Sequence, residues 1–356
     1  MSSQKSEDTK LENITLQKLG WQSFFEEQCL GTEFSVGRVV LQHKYLYRVV
    51  NEQGEWIAEP TGKFIFETLT KKDFPAVGDW VLMTTYPDEG KAMIHQVLKR
   101  KSVFIRQAAG FKTEDQVLAS NIDFVFLVNA PDHDFNIRRL ERYLLLAYES
   151  RATPIIILTK RDLCDDLEER LNQVDTITFG AVPVIAVDNL RGVGLEEVRG
   201  LISEGMTIAL LGSSGVGKST LLNALMGEEV QETAETREDD SKGRHTTTHR
   251  ELFMLPDGGL VIDTPGMREL QVSGGSESMD TTFADIEALI SGCRFSDCEH
   301  RTEPGCKVKE ALSDGSLDDD RYRSYQKLQR ELAYQEKRQR ENLLLMEKRY
   351  QKRRRS

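Results

Sequence analysis

The chain has no apolar run near the roughly 20 residues that a membrane-spanning helix needs, which excludes a helical membrane span. Its first residues are polar and lack the apolar stretch of a secretory signal, so a cytoplasmic protein is expected. No internal repeat is visible. Cysteine is scarce, with five in 356 residues. Three of them, Cys293, Cys298 and Cys306, fall in one short window. That clustering suits a metal site in a reducing compartment better than a disulfide framework. Positive charge is in deficit, with a formal net charge of −11. Taken alone, the deficit argues against nucleic acid as a partner. Its placement argues otherwise. Residues 321–356 hold thirteen Lys/Arg against four Glu and end in K-R-R-R-S, while acidic residues gather at 235–240 and 318–320. Such asymmetry matters more than the sum.

What is present is organised around residues 212–219, which read G-S-S-G-V-G-K-S. Gly212, Ser213, Ser214, Gly215, Val216, Gly217, Lys218 and Ser219, followed by Thr220, fit the phosphate-loop template G-x-x-x-x-G-K-[ST]. An apolar run at 206–211 reads as the strand before it, and a helical pattern at 218–225 follows. The glycines let backbone N–H groups face phosphate oxygens, and the helix N-terminus favours anions. Lys218 is placed to reach the β/γ-phosphates, and the Ser219 hydroxyl to bind Mg²⁺.

Taken in order, residues 1–34 form a polar extension in which Trp21, Phe24 and Phe25 dock a short helix at 16–28. Residues 35–104 read as a small β-barrel of OB type. Strands are expected at 36–41, 45–50, 63–66, 79–84 and 92–98, with turns at 51–54, 60–62 and 87–90. Residues 105–280 then alternate strands and helices, which implies a parallel sheet with helices on both faces. The expected strands lie at 124–129, 154–159, 182–187, 207–211, 252–255 and 260–262, and the helices at 137–150, 163–174 and 195–202. The charged stretch 226–250 reads as a loop.

Two more motifs bear on the nucleotide. Thr159, Lys160, Arg161 and Asp162 end an apolar run and match the guanine-reading pattern [N/T]-K-x-D. Asp162 can accept from guanine N1–H and N2–H₂, donors that adenine lacks in that arrangement, and an unpaired buried carboxylate penalises ATP. The stem of Lys160 can cover the base. Thr159 lacks the amide of the commoner Asn. Further on, Asp263-Thr264-Pro265-Gly266 follows an apolar strand. Asp263 can hold Mg²⁺ through water, and the Gly266 N–H can sense a γ-phosphate. Between the two lies G-R-H-T-T-T, residues 243–248. Thr247, or else Thr246, is the candidate to bind Mg²⁺ and the γ-phosphate and so order the loop. His245 is the candidate to position the attacking water, with contact to a partner as its other reading. Met267 stands where many GTPases carry a water-orienting Gln.

The order of these motifs is unusual, because the guanine-reading segment precedes the phosphate loop. A circular permutation, joining old termini and cutting new ones, accounts for it. The chain then leaves the switch elements for Cys293-x₄-Cys298-x-His300-x₅-Cys306 in residues 281–320. Four such ligands suit one closed, structural Cys₃His Zn²⁺ site. Residues 321–356 form a long charged helix whose basic end fits phosphate-rich RNA.

T-K-R-D, G-S-S-G-V-G-K-S, G-R-H-T-T-T, D-T-P-G-M and C-x₄-C-x-H-x₅-C, in that order, resemble the RsgA (YjeQ) family over about residues 36–325. The resemblance implies a multidomain α/β chain: an OB-fold, a circularly permuted GTPase, a zinc domain and a following helix. It implies slow GTP hydrolysis to GDP and phosphate, stimulated by the 30S subunit, binding near the decoding region of 16S rRNA, and a role in late subunit maturation. It points to His245 as the catalytic histidine. A monomer is expected. The loop before Gly192-Val193-Gly194, often Ser-Ala in the family, here reads Asp188-Asn189. Two other function classes fit parts of the sequence. A transporter-type ATPase is suggested by Val272-Ser273-Gly274-Gly275, but that stretch follows the Asp263 strand instead of preceding it, and T-K-R-D has no place there. A non-catalytic RNA-binding module is the other.

Overall fold

The computed structural model describes residues 14–43, 45–106, 115–132, 135–228, 250–263 and 276–355. The chain divides into two compact units, one of residues 1–135, 150–170 and 182–270, the other of 136–149, 171–181 and 271–356.

In the first unit, the N-terminal segment is a turn followed by a short helix, α1 (Ser23–Glu26), instead of one helix over 16–28. Trp21 meets Trp80 edge to face at 4.7 Å, and Phe25 is buried. Five strands follow: β1 (Ser35–His43), β2 (Leu46–Asn51), β3 (Gly54–Pro60), β4 (Trp80–Tyr86) and β5 (Lys91–Val97). They pair in the order β1-β2-β3-β5-β4, and β4 returns to β1, so the barrel closes. β3 and β5 run parallel, while the other pairs are antiparallel. This closed five-stranded order is that of an OB-type barrel. Val39, Tyr47, Val49, Trp56, Val81, Met83 and Ile94 fill the interior.

The expected third strand at 63–66 is a helix, α2 (Gly62–Glu67), and the strand is 54–60. Thr61 explains the helix, because its Oγ1 accepts from the Phe64 N–H and so caps the first turn. Asn51 explains the strand. Its Oδ1 accepts from Gln53 N–H and Trp56 Nε1–H, each at 2.9 Å, which closes the β2–β3 hairpin. Trp56 and Ala58 then face the core while Glu55 and Glu59 do not, a period of two that two glutamates obscured.

After a hairpin of β6 (Val103–Arg106) and β7 (Gln116–Ser120), strands and helices alternate. They are β8 (Phe124–Asn129), α3 (Ile137–Ser150), β9 (Thr153–Leu158), α4 (Leu167–Thr178), β10 (Val184–Ala186), α5 (Leu195–Gly200), β11 (Thr207–Leu211), α6 (Lys218–Met226), β12 (Arg250–Met254) and β13 (Leu260–Asp263). β10-β9-β8-β11-β13 form a parallel sheet, to which β12 adds antiparallel. β1 then pairs with β12 through Leu41↔Glu251 and Gln42↔Arg250, so barrel and sheet are continuous. Buried Arg38 fixes the junction by donating to the carbonyls of Leu19, Gly78 and Asn121. The central strands β8, β9 and β11 are almost wholly buried, as expected of apolar runs inside a parallel sheet.

The second unit contains most of α3, the end of α4, and then α7 (Ser276–Thr282), α8 (Ala284–Ser291), α9 (Lys307–Asp314) and α10 (Asp319–Arg355). Arg321 organises it. Its guanidinium donates to Asp285 twice at 2.7 Å and to fully buried Glu141 at 2.8 Å. Arg138 shares the same Glu141 oxygen at 2.6 Å. Removing one partner of a buried pair leaves an uncompensated charge, a cost of about 3–5 kcal/mol.

Candidate nucleotide site and metal centre

Parallel pairing brings the C-terminal ends of β8, β9, β10, β11 and β13 to one edge of the sheet, where open α/β sheets bind ligands. The phosphate loop follows β11. Gly212 passes so close to β8 that a Cβ there would lie 2.2 Å from the Val128 carbonyl. Gly217 has φ +89° and caps α6 from the left-handed region, where an L side chain is strained. Val216 is buried, while Ser214 and Gly215 are exposed. Lys218 Nζ donates to the carbonyls of Gly212, at 2.9 Å, and Ser213. Ser219 and Thr220 sit half-buried in the first turn of α6, the helix end that favours anions.

Thr159 follows β9 and is fully buried. Its hydroxyl lies 2.5 Å from the Val216 carbonyl and 3.2 Å from the Asn129 carbonyl. It carries one proton, so the shorter contact is the bond it makes. Lys160 turns the chain with φ +53° and places Nζ 3.4 Å from Asp132. Arg161 and Asp162 open a short 3₁₀ turn at the surface, so Asp162 is exposed, not buried. Arg191 lies 4.0 Å from Asp162 and 3.5 Å from Asp188. Asp188 Oδ1 accepts from the N–H groups of Leu190 and Arg191, each at 3.0 Å, and so shapes the loop after β10.

Asp263 ends β13, its backbone paired with Glu251. His245, Thr246, Thr247, Gly266 and Met267 lie outside the described residues. The fold thus brings the segments at 159–162, 188–189 and 212–219 together. Sequence reasoning found all three but missed the bonds between them, since a contact between two loop ends leaves no local pattern.

The family follows from comparison. The RsgA GTPase family model matches residues 97–273. "Small ribosomal subunit biogenesis GTPase RsgA 1" of Listeria innocua serovar 6a is 46% identical over 321 residues, 90% of each chain. This chain belongs to the RsgA GTPase family. It is therefore a GTP-hydrolysing enzyme. Among solved structures it resembles YjeQ from Thermotoga maritima, with a TM-score of 0.61 and 30% identity over 84% of this chain and 98% of that one. It also resembles YloQ, described as a circularly permuted GTPase, with a TM-score of 0.58 and 25% identity over 85% and 96%. The permuted order seen here, with the segment after β9 preceding the loop after β11, agrees with that description.

The other centre of this RsgA-family GTPase is in the second unit. The ligand atoms of Cys293, Cys298, His300 and Cys306 all lie within 4.8 Å of one another. Cys293 Sγ is 3.6 Å from His300 Nδ1 and 4.0 Å from Cys306 Sγ, and His300 Nδ1 is 3.4 Å from Cys306 Sγ. The edges of a tetrahedron with Zn–S near 2.3 Å and Zn–N near 2.0 Å are about 3.5–3.8 Å, so the four donors can hold a metal ion. Desolvation pushes the Cys293 thiol up, but the N–H groups of Lys307 and Val308, with the thiols of Cys306 and Cys298, outweigh it and the net shift is down. Desolvation raises the Cys298 thiol to about 11 against the His300 N–H, with Cys306 and Cys293 adding. Such crowded thiols all ionise only around a cation. The loop is braced by Glu303, whose carboxylate accepts from the N–H groups of Glu299 at 3.0 Å, Arg301 at 2.8 Å and Thr302 at 2.9 Å. Sequence reasoning did not single out Glu303.

Proposed function

We propose that this GTPase acts in small ribosomal subunit biogenesis, the role named for its relatives. The observation that carries the proposal is the binding of the segment at 159–162 to the phosphate loop through Thr159 and Val216. It couples a guanine-type reader to a phosphate cradle within a chain 46% identical to a named biogenesis GTPase.

In this reading Asp162 accepts from guanine N1–H and N2–H₂, the base itself covers the carboxylate, and the stem of Lys160 lies on the ring. Residues 212–219 wrap the phosphates and Lys218 moves to the β/γ-oxygens. Ser219, Thr246 or Thr247, and Asp263 are the residues to hold Mg²⁺, which supplies positive charge against the phosphates. The Gly266 N–H senses the γ-phosphate, and His245 positions the attacking water in place of the Gln absent at Met267. Hydrolysis is slow until the 30S subunit orders the switch residues. Cys293, Cys298, His300 and Cys306 hold one structural Zn²⁺. The zinc region and the basic end of α10 meet 16S rRNA, and affinity for the subunit differs between the GTP and GDP states. The protein works as a cytoplasmic monomer.

The test measures GTP and ATP hydrolysis with purified 30S and 50S subunits. Faster turnover of GTP with 30S alone is expected. Equal stimulation by 50S, or equal 30S binding with GDP and a GTP analogue, would contradict the reading.

A further inference from the structure

Two side chains from different loops converge on the last turn of the phosphate loop. A Cβ placed on Gly217 would have Thr159 Oγ1 at 3.4 Å and Asn189 Nδ2 at 3.5 Å as its nearest neighbours. Thr159, after β9, donates to the Val216 carbonyl at 2.5 Å. Asn189, after β10, donates to the Gly217 carbonyl at a longer 3.4 Å. The same Gly217 carbonyl accepts the first helical bond of α6, from Leu221 N–H at 2.8 Å. Consecutive carbonyls at the mouth of the helix are thus held from the base-reading side of the sheet. The Val216–Gly217 turn sets where the following N–H groups point, and those groups are what a phosphate loop offers its ligand.

Asn189 Oδ1 is buried and has no hydrogen-bond partner among the described residues. Exchanging the two amide atoms would set Oδ1 against the Gly217 carbonyl oxygen, so the observed orientation is the one that avoids two facing acceptors. A buried carboxamide oxygen with no partner costs stability, and such costs are tolerated where a side chain serves a site.

We infer that Thr159 and Asn189 are paired positioning residues that hold the Val216–Gly217 turn for the β-phosphate, dividing between two loops the work of one amide. The inference rests on the reading of 159–162 and 212–219 as the nucleotide site. It makes the Asn189 side chain a determinant of phosphate grip, distinct from any backing of the base.

GMP and GDP separate these roles, because GMP carries the base but lacks the β-phosphate. Affinities of the full chain for both, with Mg²⁺, are measured for wild type, Thr159→Ala, Asn189→Ala, the double variant, Thr159→Ser and Asn189→Asp. Each alanine variant is expected to bind GDP about tenfold more weakly. The double variant loses about thirtyfold instead of a hundredfold, since both groups hold one turn. GMP affinity changes less than about twofold. Thr159→Ser keeps the hydroxyl and wild-type affinity. Asn189→Asp keeps the size but sets an acceptor against the Gly217 carbonyl, and weakens GDP at least as much as alanine does. In turnover, KM for GTP rises while kcat and the preference for GTP over ATP hold. Equal losses for GMP and GDP, a reduced preference for GTP over ATP, or unchanged GDP affinity would each overturn the inference. A wild-type protein that binds GDP no better than GMP would overturn the phosphate-loop reading itself, and the inference with it.

Discussion

The proposed nucleotide site draws its residues from the ends of β9, β10, β11 and β13, from position 159 to position 263, while the four donors of the candidate metal centre lie between 293 and 306. The first is assembled by sheet topology and held by bonds such as Thr159 to Val216. The second is a local loop, in which His300 sits at φ +59° and Glu303 gathers three N–H groups. A site made by topology exists once the core has formed. A site made by a short loop gains its rigidity from the ion it binds. The two are therefore expected to fail separately.

The largest effect should come from removing a metal ligand. Cys306 is the buried member of the set, and it also caps α9 by accepting from Lys309 N–H at 3.5 Å. Cys306→Ser is expected to lower bound zinc from about one per chain to near zero, as read by elemental analysis. GDP affinity should change less than about twofold, since the metal ligands belong to a separate compact unit and, among the described residues, share no partner with the phosphate loop. A parallel loss of GDP binding would break the comparison. Lys218→Ala tests the other side. It should slow GTP turnover by about 100- to 1000-fold, the scale for losing one group that stabilises transition-state charge. Zinc content should be unchanged, and reduced zinc in this variant would show that the sites are coupled.

The same contrast explains what could be read from the sequence. Both centres were legible because their residue types occur in short fixed spacings, G-S-S-G-V-G-K-S and C-x₄-C-x-H-x₅-C. The alternating strands of the sheet were legible as apolar runs. The third barrel strand was not, because Phe64, Ile65 and Phe66 look more β-like than Glu55 to Glu59, and only the Thr61 cap and the Asn51 turn decide otherwise. Nor was the pairing of β1 with β12, which joins positions about two hundred residues apart through two backbone registers. Contacts carried by backbone, or by one side chain reaching another loop, have no sequence period. The link from Asn189 to Gly217 is of that kind.

The smallest effect tests a point where the two centres are alike. The phosphate loop offers backbone N–H groups to an anion from outside, and the metal loop offers its own to Glu303. The Glu303 carboxyl is held down to about 2, first by its own N–H and then by that of Arg301, against desolvation, with the N–H groups of Glu299 and Thr302 adding. A depressed carboxylate contributes in full above its ordinary value near 4.5, and loses that contribution as pH falls through about 2. Glu303 is thus ionised throughout pH 6–8. Glu303→Gln keeps the shape but weakens the bonds to these N–H groups, which brace the loop around His300. Zinc affinity, measured by competition with a chelator, should fall about tenfold, the lower end for outer residues of metal sites. Thiol protonation moves both proteins alike, so the ratio of their affinities should stay flat from pH 6 to 8. A ratio that changes across that range would show that Glu303 is not fully ionised there, and a variant that binds zinc as tightly as the wild type would show that the loop needs no charged acceptor.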